Sequence, residues 1–224
     1  MNNYFATKTV VVSSASSKTA FTVAYNIQRR KQRPGSPAVR IVGLTSQSNL
    51  RFTRNLGLYD DIFTYADLAS VASTNPPSQP LIYVDVLGNS PLNSRVNEVL
   101  SPSVFVSLGM SNPTDGATAS VISKEDKGNT SVKGFFMPEW LAVRIKQLSS
   151  QQIVKLQVEA WDGLMRDCVK WVNIEKIYGT GENGVILSYR KTLEGKVGAD
   201  KGQAFSLWEE GSGGADPTRE SGKL

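Results

Sequence analysis

The side chains best suited to chemistry crowd into one short stretch, Ser13-Ser14-Ala15-Ser16-Ser17-Lys18-Thr19. Hydroxyls, backbone N–H groups flanked by small side chains, and one ammonium are what an oxyanion needs. At the start of a helix the macrodipole would favour that negative charge further. The chemistry on offer is the holding of phosphate. Bond-making systems are narrowed by composition. The chain has no histidine, which removes Ser-His-Asp and Cys-His nucleophile systems. With one cysteine, Cys168, it also argues against a tetrahedral zinc site. A carboxylate site for magnesium stays open, and any general acid must be Tyr, Lys, Asp, Glu or Cys.

A second hydroxyl cluster, Thr45-Ser46-Gln47-Ser48, reads either as a helix cap or as a phosphate contact. Both clusters need elements to position them. Thr9–Val12 is a β-branched run, and Phe21, Val23, Ala24 and Ile27 follow it near helical spacing, so the serine loop joins a strand to a helix. Further strands are expected at Val39–Leu44, Asp61–Tyr65, Leu81–Val86 and Val104–Leu108. Between them come helices from near Asn49 to Gly57, at Ala66–Ser73 and at Leu92–Leu100. This rhythm implies βαβ crossovers and an α/β fold: a Rossmann-like, doubly wound parallel sheet covered on both faces. Ligands of such sheets bind beyond the carboxyl ends of the strands. That edge should carry Ser13–Lys18, Thr45–Ser48, the turn at Leu87–Asn89 with Gly88, and Gly109–Ser111.

The remainder is read as helical and short-strand C-terminal additions. Asn112–Gly134 is polar and aperiodic, a loop or irregular hairpin with a short strand possible at Thr118–Ile122. A helix follows from Phe135-Phe136-Met137-Pro138 to about Leu148. Ser149 and Gln152 form a capping box for another helix. Its stripe of Trp161, Leu164, Met165, Cys168, Val169 and Val172 is expected to be buried, with Cys168 an inert core thiol. Gly184–Leu193 is a strand or short helix, and Gly195–Val197 and Ala204–Trp208 short strands. The resulting division is a dinucleotide-binding domain at 8–134, a C-terminal segment at 135–209 and a disordered tail at 210–224.

The 224 residues carry a net charge of +5, with 40% hydrophobic and 20% charged content, ordinary values for a globular chain. No apolar run approaches the roughly 18 residues of a membrane span, and MNNYFATKTVVV lacks the apolar core of a signal peptide. A lone cysteine suits a reducing compartment, so cytoplasmic location is the expectation. The run Arg29–Arg33 ahead of Pro34-Gly35 complements a helix C-terminus, with no interleaved aromatic to stack a base. Neither a nucleic acid nor a membrane is an expected partner.

Through Gly109 the sequence resembles the cofactor domain of the medium-chain dehydrogenase/reductase superfamily, in its zinc-independent, quinone-oxidoreductase-like branch. The matching pieces are VVVSSASSKTA, VGLTSQSNLRFTRNLGLYDDIFTY and LIYVDVLGN. YRKTLEGKVGADKGQAFSLW is similar to the stretch where that family's chain returns towards its other domain, and FFMP resembles an uncharacterised fungal branch. The resemblance implies an NADP(H) cofactor. The family's loop glycines fall at Ser14, Ser17, Lys18 and Ala20, so Ser14, Ser16, Ser17, Lys18 and Thr19 become the implied phosphate loop. Lys18 there either adds a charge to a phosphate or blocks the groove. Thr45, Ser46 and Tyr65 fall where NADPH-preferring members hold the 2′-phosphate, and the family's cation position falls at Leu50, beside Arg51. Gly88 and Gly109 complete the implied contacts. No acidic residue ends the second strand to take a ribose 2′-OH, which favours NADPH over NADH.

In that family a GroES-like catalytic domain precedes the first strand, whereas here the strand begins within ten residues of Met1. The expectation is a fragment or a domain without its catalytic half, suited to binding more than turnover, with a homodimer implied by resemblance. Two other readings stand beside it. One is a Rossmann relic serving as an interaction domain. The other is a degenerate P-loop, since Ser17-Lys18-Thr19 mimics that motif's end and Asp85 its magnesium-side acid, although Ser13 and Ser17 replace both of its glycines.

Overall fold

Four consecutive β-branched residues with no polar interruption make strand β1, Thr9–Val12, and all four are buried. A strand covered on both faces shows a continuous apolar run in place of alternation, which is how TVVV reads. In the computed structural model, residues 4–76, 78–108, 131–134, 137–181 and 183–208 are described, with the backbone alone at 131–134. β2 (Arg40–Thr45), β3 (Asp61–Thr64), β4 (Leu81–Asp85), β5 (Val104–Ser107) and β6 (Ser131–Gly134) complete one sheet in the order β3-β2-β1-β4-β5-β6. Every pairing in it is parallel. The chain runs outward from β1 to β3, then returns to the other side of β1 for β4. The switch point therefore lies between β1 and β4, the place where open α/β sheets bind ligands.

β6 corrects one expectation. Ser131–Gly134 belongs to the stretch expected as a loop, yet it pairs with β5 from Val104↔Ser131 to Ser107↔Gly134. Four residues, Ser-Val-Lys-Gly, are too few and too polar to show a strand pattern, and the pairing comes from the neighbouring strand. The expected Thr118–Ile122 strand and 210–224 tail lie outside the described residues.

The crossovers are helical: α1 (Lys18–Lys31), α2 (Leu50–Asn55), α3 (Leu68–Thr74) and α4 (Ser90–Leu100). Ser17 caps α1 by accepting from Ala20 N at 3.2 Å, and the last turn carries Arg29, Arg30 and Lys31, as the helix dipole prefers. Asn89 caps α4 by accepting from Leu92 N at 2.9 Å. α3 supplies Leu68 and Val71, and α4 supplies Leu92, Val96 and Leu100, to a core built on Val11, Val42, Leu44 and Tyr83. The Tyr83 and Phe105 rings meet edge to face at 5.1 Å.

α5 (Met137–Ile145) and α6 (Ser150–Cys168) follow. The capping box forms: Ser149 N donates to Gln152 Oε1 at 2.9 Å, and Gln152 N donates to Ser149 Oγ at 3.3 Å. The expected apolar stripe of α6 is only partly core. Leu164 is buried, but Trp161 is 61% and Val169 75% exposed, and Cys168 is half-buried. The helix meets α1 one position away, where Arg29 Nη1 donates to the Glu159 carbonyl and Tyr25 Oη donates to Asp167 Oδ2 at 2.8 Å. Gly163 leaves room for that arginine, because a Cβ there would lie 2.7 Å from Arg29 Nη1. A contact face built on glycine and polar groups carries no hydrophobic signal.

The chain divides into two compact units, Met1–Asp167 and Cys168–Leu224. The second contains β7 (Asn173–Tyr178), α7 (Val185–Leu193) and β8 (Lys201–Ser206), with the strands parallel from Asn173↔Lys201 to Tyr178↔Ser206. Of the open readings for Gly184–Leu193, the helix is the one found. Gly195–Val197 is not a strand: Gly195 at φ +66° closes α7, with Gly195 N donating to Thr192 O and Lys196 N to Lys191 O. This is a helix C-terminal closure that glycine favours. β7 was not expected, since Asn-Ile-Glu-Lys-Ile-Tyr spaces its isoleucines three apart.

Candidate functional site

The turn from β1 into α1 is fastened to β4 and β2 and closed on itself. Ser13 N donates to Val84 O at 3.0 Å, Ala15 N to Leu44 O at 2.9 Å and Ser17 N to Ser14 O at 2.7 Å. Ala15 is fully buried against β2, and Gly43 makes that approach possible: a Cβ there would lie 2.9 Å from Ala15 Cβ and 3.0 Å from the Tyr59 ring. Tyr59 Oη donates to Ala15 O at 2.8 Å, and its burial raises the phenol pKa well above the ordinary range. Ser14 turns the chain at φ +50°, the left-handed region that glycine enters freely and that costs an L-residue about 1–2 kcal/mol. Tyr65 supports it there: Ser14 N donates to Tyr65 Oη at 3.2 Å, and the two hydroxyls lie 3.4 Å apart.

Below this turn sits a polar network whose members are scattered along the sequence. Ser13 is fully buried; its Oγ accepts from Val86 N at 2.9 Å and donates to Asp85 Oδ1 at 3.4 Å. Asp85, 2% exposed, also accepts from Gly88 N at 3.0 Å and from Asn93 Nδ2 at 2.8 Å. Tyr83 Oη donates to Asn93 Oδ1 at 3.0 Å; burial first, then the Asp85 charge, raises its pKa far beyond the ordinary value. The carboxylate thus ties the β1–α1 turn to the β4–α4 turn. Three protein donors engage this buried carboxylate, a setting unlike the open acid that a P-loop offers magnesium. The signal for this role is an acid closing an apolar strand; Gly88 and Asn93 lie within eight residues of it, whereas Ser13 is 72 residues away.

Of the residues expected to bind cofactor, Ser14, Ser16, Ser17, Lys18, Thr19 and Tyr65 come together at the carboxyl edge beside the switch point. Ser16 is buried, Ser17 and Thr19 half-buried, and Lys18 exposed at the first position of α1. Ser17 Oγ accepts from Ala20 N and so keeps its own proton for an outside acceptor. Gly88 joins them at the next turn, at φ +72°. Thr45 is fully buried, its hydroxyl accepting from Thr53 Oγ1 at 3.4 Å. The polar surface of that turn is instead Ser46 and Ser48, whose hydroxyls lie 2.9 Å apart. Ser46 makes no side-chain cap, and Arg51 is exposed on the following helix. Gly109 lies outside the described residues. A depression lined by Ala6, Lys8, Pro76, Ser78, Gln79 and Pro80 lies at the opposite, amino-terminal edge of β1 and β4.

The donors fit a dinucleotide's phosphates in kind: a Ser14 N–H, serine hydroxyls, the start of a fourteen-residue helix and a lysine ammonium. Among the described residues no group of three or more His, Cys, Asp or Glu could hold a metal, and no helix is long and apolar enough to cross a membrane.

Residues 1–198 match the family described as "Protein of unknown function (DUF2855)". No curated protein matches. Among solved structures, CurA from Vibrio vulnificus is similar at 14% identity and a TM-score of 0.51, over 89% of this chain and 57% of that one. The yhdH oxidoreductase from Salmonella enterica in complex with NADP is similar at 13% identity and a TM-score of 0.45, over 88% of this chain and 54% of that one. A probable oxidoreductase from Mycobacterium abscessus has 14% identity and a TM-score of 0.49, over 89% of this chain and 55% of that one. The chain spans a little over half the length of these structures.

Proposed function

We propose that this chain, which belongs to the DUF2855 family, binds NADP(H) across the carboxyl edge of its six-stranded sheet. The observation that carries the reading is the Ser13–Thr19 turn. It joins the central strand to a capped helix, beside the β1/β4 switch point of a sheet ordered β3-β2-β1-β4-β5-β6. The nicotinamide, when bound, supplies hydride chemistry. The chain's own part is to hold the phosphates at Ser14, Ser16, Ser17, Lys18 and Thr19. The preference for the phosphorylated dinucleotide rests on the turn after β2. There the strand ends in a buried threonine, not an acid, and Ser46, Ser48 and Arg51 present two hydroxyls and a guanidinium that suit a 2′-phosphate.

The reading extends, through the sequence resemblance, to a zinc-independent, quinone-reductase-like type of the fungal branch, working in the cytoplasm as a homodimer. A second reading, a Rossmann relic without cofactor, draws on one observation: Ser13, Ala15 and Ser17 already spend their N–H groups inside the protein.

Thermal melting with added ligand separates the two. A dinucleotide present at 100 times its Kd raises stability by about 2.7 kcal/mol, a shift of several degrees for a chain of this size. NADPH is expected to give that shift and NADH a smaller one. No shift with either at millimolar concentration would leave the relic reading in place.

A further inference from the structure

The N–H groups that line the phosphate turn do not have equivalent partners. Those of Ser13, Ala15 and Ser17 bond to carbonyls of Val84, Leu44 and Ser14, which the fold itself holds in place. The Ser14 N–H bonds to a side chain, Tyr65 Oη at 3.2 Å, and Ser14 Oγ is 3.4 Å from the same oxygen. Tyr65 reaches this point from the 3-10 turn Tyr65–Asp67 after β3, with its ring packed at the margin of the core. A phenolic oxygen that accepts a loop N–H takes the place a phosphate oxygen would take in an anion-binding turn.

We propose that the Tyr65 hydroxyl is a built-in substitute for a phosphate oxygen, and that an arriving dinucleotide must displace it from Ser14. This deepens the reading above and rests on it. Three physical points support displacement. The bond is between neutral groups, whereas a phosphate oxygen would accept a charge-assisted bond roughly twice as strong. Ser14 sits at φ +50°, where an unsupported L-residue is strained, so the empty turn gains from having a hydroxyl to hold it. Tyr65 is half-buried at the margin of the core, and it follows β3 in a short 3-10 turn, outside the strand's own pairing. Tyr65 is therefore a positioning residue of the empty site and a competitor of the ligand. This role is opposite to that of a cofactor contact.

Tyr65→Phe keeps the ring and removes the oxygen. Displacement predicts two effects of opposite sign. The ligand-free variant melts at a lower temperature, having lost the support of Ser14. Its Kd for NADPH falls about 3- to 10-fold, the scale of one net hydrogen bond. A side chain that merely supports the turn would lower melting temperature and affinity together, and a direct cofactor contact would lower affinity. An unchanged or raised Kd beside a binding wild type overturns the displacement alone. Failure of both proteins to bind NADPH at millimolar concentration overturns the dinucleotide reading and this proposal with it. Should the variant not fold, the amide resonance of Ser14 in the wild-type protein decides the matter. It must move strongly on titration with NADPH as its acceptor changes, and a resonance that stays put while NADPH binds refutes displacement.

Discussion

Ser13→Ala removes a hydroxyl on which two strand ends depend. Its Oγ accepts from Val86 N at 2.9 Å and donates to Asp85 Oδ1 at 3.4 Å. Ser13 is 0% and Val86 5% exposed, so water cannot take over either role. A buried N–H left without an acceptor costs about 1–3 kcal/mol. The longer contact to Asp85 adds little, because that carboxylate retains Gly88 N and Asn93 Nδ2. Alanine fills nearly the same volume, so no cavity contributes. The expected loss is about 2 kcal/mol, roughly 30-fold in the folding equilibrium. It would be read as a lower urea midpoint with an unchanged slope. Ser48→Ala, which deletes one of two exposed hydroxyls 2.9 Å apart, is the control and should stay within about 0.5 kcal/mol. A Ser13→Ala loss no greater than that of the control would show that the network does not tie the β1 and β4 turns together.

Four further outcomes follow from the same geometry. Lys18→Ala should weaken NADPH by about 1–3 kcal/mol in a fluorescence titration, less so in high salt; tighter binding would mean that Lys18 obstructs the groove. Gly43→Ala, which puts a Cβ 2.9 Å from Ala15 Cβ and 3.0 Å from the Tyr59 ring, should cost about 1–3 kcal/mol of overpacking in urea unfolding and weaken NADPH by shifting the turn. Arg51→Ala should reduce the preference for NADPH over NADH, measured as the ratio of their Kd values, while leaving NADH unaffected. Burial raises the pKa of Tyr59 and Tyr83 in the folded protein, so their stabilising contribution is complete below the unfolded value of about 10 and declines as pH rises above it. Each should lower stability by about 1.4 kcal/mol per pH unit there, and Tyr59→Phe should remove one share of that slope in urea titrations between pH 10 and 11.

What the sequence disclosed and what it concealed divide along range of interaction. Thr9–Val12, the Ser17 cap, the Ser149–Gln152 box and the five strands from β1 to β5 depend on neighbours within a few residues or on plain apolar runs, and they are legible. β6 depends on the edge that β5 offers and is not. The candidate site divides in the same way. Its serines and Lys18 are visible as a cluster, but Tyr59 and Tyr65 reach the turn across 44 and 51 residues, and Ser13 meets Asp85 across 72. Those long contacts change the meaning of residues singled out beforehand. Thr45 turns its hydroxyl inward to Thr53, Asp85 is bonded to protein donors, and Tyr65 faces the β1–α1 turn at Ser14. On α6, the contact with α1 runs through Gly163 and Asp167 while Trp161 stays exposed, and small and polar contact faces are silent in a hydrophobic pattern.

Calorimetric titration of the wild-type chain with NADPH, alongside NADH and magnesium-ATP, decides whether this edge of the sheet holds a phosphorylated dinucleotide. Saturable heat at one NADPH per chain, a weaker NADH isotherm and none for magnesium-ATP are predicted. The absence of NADPH heat at millimolar ligand, or a magnesium-dependent ATP isotherm in its place, would show that the edge is not a dinucleotide site.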